Sequence, residues 1–102
     1  MKRFRVITHP IVEDEINEAY LFIAAHSPDN ANRWANGIEN ASLSLSVLPT
    51  RCPLAIESAE FNKEIRHLIV GSYRILFTID DDEVHVLHVH HSARKSLDPH
   101  NN

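Results

Sequence analysis

At 102 residues the chain is long enough for one domain with one core. Its net charge of -4 argues against a protein that holds nucleic acid chiefly through phosphate, unless its cations gather in a local patch. The single cysteine, Cys52, excludes an intrachain disulfide and suits a reducing cytosol. The basic start Met1-Lys2-Arg3-Phe4-Arg5 meets His9, Pro10, Glu13 and Asp14 too early for a secretory leader. No segment approaches the length of a membrane span, so the expected location is cytoplasmic and no membrane partner is expected.

Residues 3–8 alternate and then end in β-branched side chains, which predicts a strand. Thr8-His9-Pro10 opens a helix, because proline lacks an N–H that the first turn does not need. Glu13, Asp14 and Glu15 suit the positive end of its dipole. Val12, Ile16, Ala19, Tyr20 and Ile23 recur at helical spacing, with Leu21 and Phe22 widening the stripe. Ser27-Pro28 repeats the start signal, with Ser27 as N-cap. A second helix then runs to about Leu48, before Pro49. Its narrow seam, Ala31, Trp34, Ile38, Ala41, Leu45 and Leu48, is of the kind helices use to pack side by side. The short link predicts an antiparallel helical hairpin, and Gly37 is expected to let the first helix come close.

Residues 49–62 show no clear period; Leu54 and Ile56 are expected to pin them to the core. Three strands follow, near 63–70, 73–79 and 83–91. Gly71-Ser72 suits a type II′ turn, and Asp80-Asp81-Asp82 suits the next one. The order predicts an α+β domain: an N-terminal strand, a helical hairpin and a three-stranded antiparallel meander, with both helices on one sheet face. Tyr73, Ile75, Phe77 and Ile79 should face the helices. Arg74, Leu76 and Thr78 should then lie on an uncovered face, open to a partner.

Glu64-Ile65-Arg66 with Leu68, Val70-Gly71, Tyr73-Arg74-Ile75-Leu76-Phe77, Val86-Leu87, Val89, and His91 with Arg94 together resemble the ParE/RelE toxin superfamily of bacterial toxin–antitoxin systems. So do Ser27-Pro28 with Ala31 and Trp34, and Leu48-Pro49. The resemblance covers nearly the whole chain. It implies two helices on a twisted antiparallel sheet, and a small antitoxin that wraps and neutralises the toxin in a hetero-oligomer. RelE-like members cut mRNA on the ribosome, whereas ParE-like members inhibit DNA gyrase. The ending His90-His91-Ser92-Ala93-Arg94 resembles the ParE-like, plasmid-stabilisation branch more closely. An RNA-cleaving toxin is the alternative, and a non-toxic antitoxin-binding relative is a third reading.

A metal-independent ribonuclease needs an acid, a base and cations for the phosphate. Arg66, His67, Arg74, His91 and Arg94 are the candidate set, with His88, His90 or His100 as substitutes. No tyrosine follows Tyr73 to act as acid or base. For a binding role the candidates are Arg66, Arg74, Arg94 and Lys95, facing target or antitoxin. The competing role for Arg74 is an ion pair with Glu57, Glu60 or Glu64. In a regular strand His88 and His90 share one face and His85 and His91 the other. Two ligands per face fall short of a zinc site, so no metal and no cofactor is expected. Asp80 to Glu83 read as a solvated turn rather than a calcium loop, Cys52 as a buried inert thiol, and Trp34 and Tyr73 as core.

Overall fold

Two prolines start the two long helices. In the computed structural model, which describes residues 1–93, Pro10 opens α1 (Pro10–Ala24) and Pro28 opens α2 (Pro28–Ser44). The Asn30 N–H donates to Ser27 Oγ at 3.3 Å, so Ser27 is the expected cap. The helices fold back on each other over a three-residue link, and Tyr20 Oη donates to Asn32 Oδ1 at 2.7 Å across them. Leu21 and Phe22 are exposed and do not widen the buried stripe of α1. No helix among the described residues is long and apolar enough to cross a membrane.

α2 stops short of Leu48. Leu45, Ser46 and Val47 donate back three residues, tightening the end into a 3₁₀-like turn. Leu48 then takes a left-handed conformation (φ 48°) and is half exposed. The Arg51 guanidinium donates to the Val47 and Leu48 carbonyls at 2.8 and 3.1 Å and to Ser44 Oγ at 2.9 Å, tying the turn after α2 back to the helix end.

The sheet has four strands in the order β1-β4-β3-β2: β1 (Arg5–Thr8), β2 (Arg66–Val70), β3 (Tyr73–Asp80) and β4 (Glu83–His91). β2, β3 and β4 form the expected antiparallel meander. The sheet as a whole is mixed, because β1 pairs with β4 in parallel. The reason is topological: the helical hairpin and the following segment carry the chain away after β1, and it re-enters the sheet from the far edge. Val70 opposes Tyr73 across a two-residue turn with Gly71 at φ 60°, a conformation that favours glycine.

Ile75, Phe77, Val84, Val86 and Val89 meet Val12, Ile38 and Leu45 beneath the helices. Gly37 faces Val70 of β2 rather than α1, and a Cβ placed there would lie 3.9 Å from Val70 Cγ1. The expected close approach of α1 at this glycine is therefore absent.

Segment 49–65 is more ordered than its lack of period suggested. It contains a 3₁₀ turn at Pro49–Arg51 and a short helix, α3 (Glu57–Phe61). His67 N–H donates to the Pro53 carbonyl and Ala55 N–H to the Ile65 carbonyl, so the segment runs along the β2 edge before crossing the second sheet face. Leu54 and Ile56 are exposed; the anchor is Ala55, packed with Ile65 and Leu76 in a second small core. The second face is thus covered over β2 and β3, not open as the sequence suggested.

Because a methyl group at Gly37 meets only ordinary contact, Gly37→Ala should stabilise the protein by up to about 1 kcal/mol through helix propensity. Urea unfolding measures this, and a lowered midpoint would mean that Val70 cannot accommodate the added methyl.

Candidate functional site

Residues directly opposite in adjacent strands share a sheet face. Arg66 opposes Phe77, and Tyr73 opposes His91, so Arg66 and His91 lie on the helix side. Arg74 opposes His90, and His67 opposes Leu76, so these four lie on the second face. The candidate set Arg66, His67, Arg74 and His91 is therefore split between the two faces. Arg94, Lys95 and His100 lie outside the described residues.

Arg66 Nη1 donates to the Cys52 carbonyl at 2.6 Å and Nη2 meets Glu64 Oε1 at 3.4 Å, so this guanidinium ties segment 49–53 to β2. Arg74 is buried. Its Nη1 and Nη2 donate to Glu57 Oε1 and Oε2 at 3.1 and 2.7 Å, the two-pronged arrangement that guanidinium and carboxylate favour. Of the three acidic residues weighed from the sequence, α3 delivers Glu57. The pair leaves Arg74 almost no surface to offer a partner. Burial pushes the Glu57 carboxyl up, but the Arg74 hydrogen bonds, a backbone bond and the Arg74 charge outweigh it, leaving its pKa below 4.5. Arg74 Nη1 also lies 3.3 Å from His67 Nδ1. Burial and then the Arg74 charge lower the His67 pKa below 6.5 against a smaller opposing pull from Glu57, so His67 is neutral and accepts.

Tyr73 packs under the helices with its ring 4.8 Å from Trp34 and 5.1 Å from His91. Burial raises its hydroxyl pKa. Cys52 is buried, and burial raises its thiol pKa against the nearby Arg51 and Arg66 charges, which suits an inert group.

Two further constellations emerge. On the second face, beyond α3, a groove of about 490 Å³ is lined by His9, Ile11, Phe61, Lys63, Leu87 and His88 among others. At the β4 edge, Glu15 reaches from α1 to three groups at once. Its Oε1 accepts from the Val89 N–H at 3.0 Å, while Oε2 lies 3.0 Å from His88 Nδ1 and 2.7 Å from His90 Nε2. Burial pushes this carboxyl up, but the bonds from His88, His90 and Val89 and the His90 charge hold it at about 2. Glu15 was missed as a site residue. Its signal was a carboxylate three residues after Val12 and four before Ala19, on the buried stripe of α1.

The β4 histidines also depart from strict alternation. A bulge between Leu76 and Phe77 places Leu87 as the extra residue, since Phe77 opposes Val86 while Leu76 opposes His88. His85, His88 and His90 consequently share the second face, and His91 alone turns to the helix side.

Removing one member of a buried ion pair strands the other, so Glu57→Gln should cost about 3–5 kcal/mol, and Glu57→Leu with Arg74→Met should recover most of it. Chemical denaturation of the single and double variants tests this; a Glu57→Gln protein as stable as the parent would remove the pair from the stability account. The lowered His67 pKa means that the unfolded chain takes up that proton first. Its contribution is therefore full above about pH 6.5 and is lost as pH falls toward the folded value. Glu57 adds a second loss below about pH 4.5, toward its own depressed value. His67→Gln should flatten the upper step, read as the difference in urea midpoints between about pH 7 and pH 5. Parallel profiles for parent and variant would contradict it.

The family model for the ParE toxin of type II toxin–antitoxin system, parDE, matches residues 6–96. No curated protein matches the chain. Among solved structures, the chromosomal ParDE TA system from P. aeruginosa aligns with a TM-score of 0.68 at 10% identity. That alignment covers 89% of this chain and 98% of the other, a likeness of fold. With the family match running from within β1 through all three helices to the end of β4, the chain belongs to the ParE toxin family, the toxin component of type II toxin–antitoxin systems.

Proposed function

We propose that this toxin acts in the cytoplasm by binding and inhibiting DNA gyrase, and that a cognate antitoxin neutralises it in a hetero-oligomer. The observation that carries the choice of target is the fate of the arginines. An RNA-cleaving relative needs cations gathered on one open face toward a phosphate. Here Arg66 is bonded to the Cys52 carbonyl, Arg74 is buried against Glu57, and the two lie on opposite faces. With a net charge of -4 as well, the chain is better suited to a protein target than to ribosomal RNA.

Arg94 and Lys95 keep the contact role in this reading, since the interactions described for the other two arginines spend them internally. The groove edged by Ile11, Phe61 and Leu87 suits a docked antitoxin segment, because apolar anchors laid in a groove are a common mode of peptide recognition.

The test is supercoiling by purified gyrase with increasing amounts of folded, antitoxin-free protein. Loss of supercoiling with accumulation of cleaved DNA supports the proposal. Unaffected gyrase, using protein that is toxic in cells, overturns it and turns attention to mRNA cleavage on the ribosome. Arg94→Ala with Lys95→Ala should weaken inhibition by roughly tenfold or more, the effect of losing about 1.4 kcal/mol of binding. Full potency in a folded double variant would remove these residues from the contact.

A further inference from the structure

The geometry points to a transition-metal site, of zinc type, formed by Glu15 Oε2, His88 Nδ1 and His90 Nε2 at the free edge of β4. These three are the one group among the described residues whose metal-capable atoms all lie within 4.8 Å of one another. Sequence spacing gave only two ligands on the strand. The third comes from α1, which no pattern within β4 can show.

The arrangement has the features a zinc site needs. Two imidazoles and a carboxylate are a donor set zinc uses with a fourth position left open. Two nitrogen donors favour zinc and its transition-metal neighbours over magnesium or calcium, which take oxygen. Tetrahedral bonds of 2.0–2.1 Å put ligand atoms about 3.3 Å apart. The two Glu15–His separations, 3.0 and 2.7 Å, need only a few tenths of an ångström of opening, while the two imidazole nitrogens, within 4.8 Å of each other, close by up to about 1.5 Å as the rings turn toward the ion. The Val89 N–H holds the other carboxylate oxygen, so Oε2 is aimed between the rings by a bond to rigid backbone. Outer bonds of this kind orient metal ligands. Glu15 and His90 also line a cavity of about 250 Å³ between α1 and the end of β4.

The molecule contains a contrasting cluster. His9 Nε2 lies 3.1 Å from His85 Nδ1, and His85 Nε2 lies 3.0 Å from Glu83 Oε1. There the middle histidine spends a different nitrogen on each neighbour, so no point is within bonding distance of all three. At Glu15 a single oxygen faces one nitrogen from each ring. A bound ion would join α1 to β4 just ahead of the C-terminal segment that carries Arg94 and Lys95. The site is independent of the target proposed above.

The experiment is titration of the untagged full-length protein with Zn²⁺ alone by calorimetry, and with Co²⁺ as a visible-absorption probe of tetrahedral geometry. The expected result is one ion per chain, tetrahedral cobalt bands, and a melting temperature that rises with Zn²⁺. Glu15→Gln and His88→Gln should each weaken binding about tenfold or more, the scale on which even supporting residues act. His85→Gln should leave it unchanged. His88 is partly exposed, so His88→Gln carries the test if Glu15→Gln fails to fold, with metal-free circular dichroism as the check. No uptake, or uptake that survives His88→Gln in folded protein, would overturn the assignment.

Discussion

Much of this structure follows from a mismatch in strand length. β1 has four residues and β4 has nine. Their parallel pairing ends at Thr8 opposite Val86, where the His9 N–H makes the last backbone bond to the Val86 carbonyl. Pro10 then turns the chain into α1. The remaining length of β4 has no strand beside it on that side, and an unpaired edge is a liability that proteins must cover. α1 covers it, and Glu15 supplies the acceptor that Val89 would otherwise have found on a neighbouring strand. The bulge at Leu87 sits just where β1 gives out. By restoring the opposite alternation, it turns Val89 into the core and carries His88 and His90 to the second face. The carboxylate and the two imidazoles meet because the same short strand left both an open edge and a shifted register.

The second face is organised by a different interaction. Segment 49–65 leaves its large apolar side chains Leu54, Ile56 and Phe61 exposed, and on the second face Ala55 and Ile65 pack only with Leu76. Glu57 and Arg74 add a bidentate ionic contact at the point where α3 crosses β3. Such a buried pair gives geometric definition more than net stability, because taking both charges out of water offsets most of their attraction. Its consequence for function is that the arginine beside the Gly71-Ser72 turn, the most prominent cation in the sequence, is turned inward and closed over.

The elements were largely legible because their signals are local. Two prolines, a serine cap, a Gly-Ser turn and period-two apolar strands each act within a few residues, and each element they announced is present. What the sequence hid was non-local. Nothing in residues 3–8 says that they pair in parallel with β4, since a short strand pairs either way. Leu54 and Ile56 look like anchors by composition, yet Ala55, between them, is the buried one, since the segment turns its alternate side chains inward there. The facing of the β4 histidines follows from a bulge, and its one mark is that the valine–histidine alternation slips by a residue at Leu87, from Val84 and Val86 to Val89. Glu57 was readable as one of three partners for Arg74, but only the position of α3 selects it. Glu15 was readable only as a charge out of place on an apolar stripe.

These hidden features bear on how one fold serves unrelated targets. A sheet face with a helical backing can carry a ribonuclease or an inhibitory surface, and the choice lies in what happens to its cations. In this chain Arg5 is held by Glu83, Arg51 by the end of α2, Arg66 by the Cys52 carbonyl and Arg74 by Glu57. Each of these contacts is internal, and each is made by a residue that could otherwise have met phosphate. Of the four, Arg66 and Arg74 are the two that such internal bonds hold largely out of solvent. The surface still presents exposed apolar groups such as Ile11, Phe61 and Ile69. In the proposed inhibitory role these groups supply the apolar contact by which proteins bind proteins.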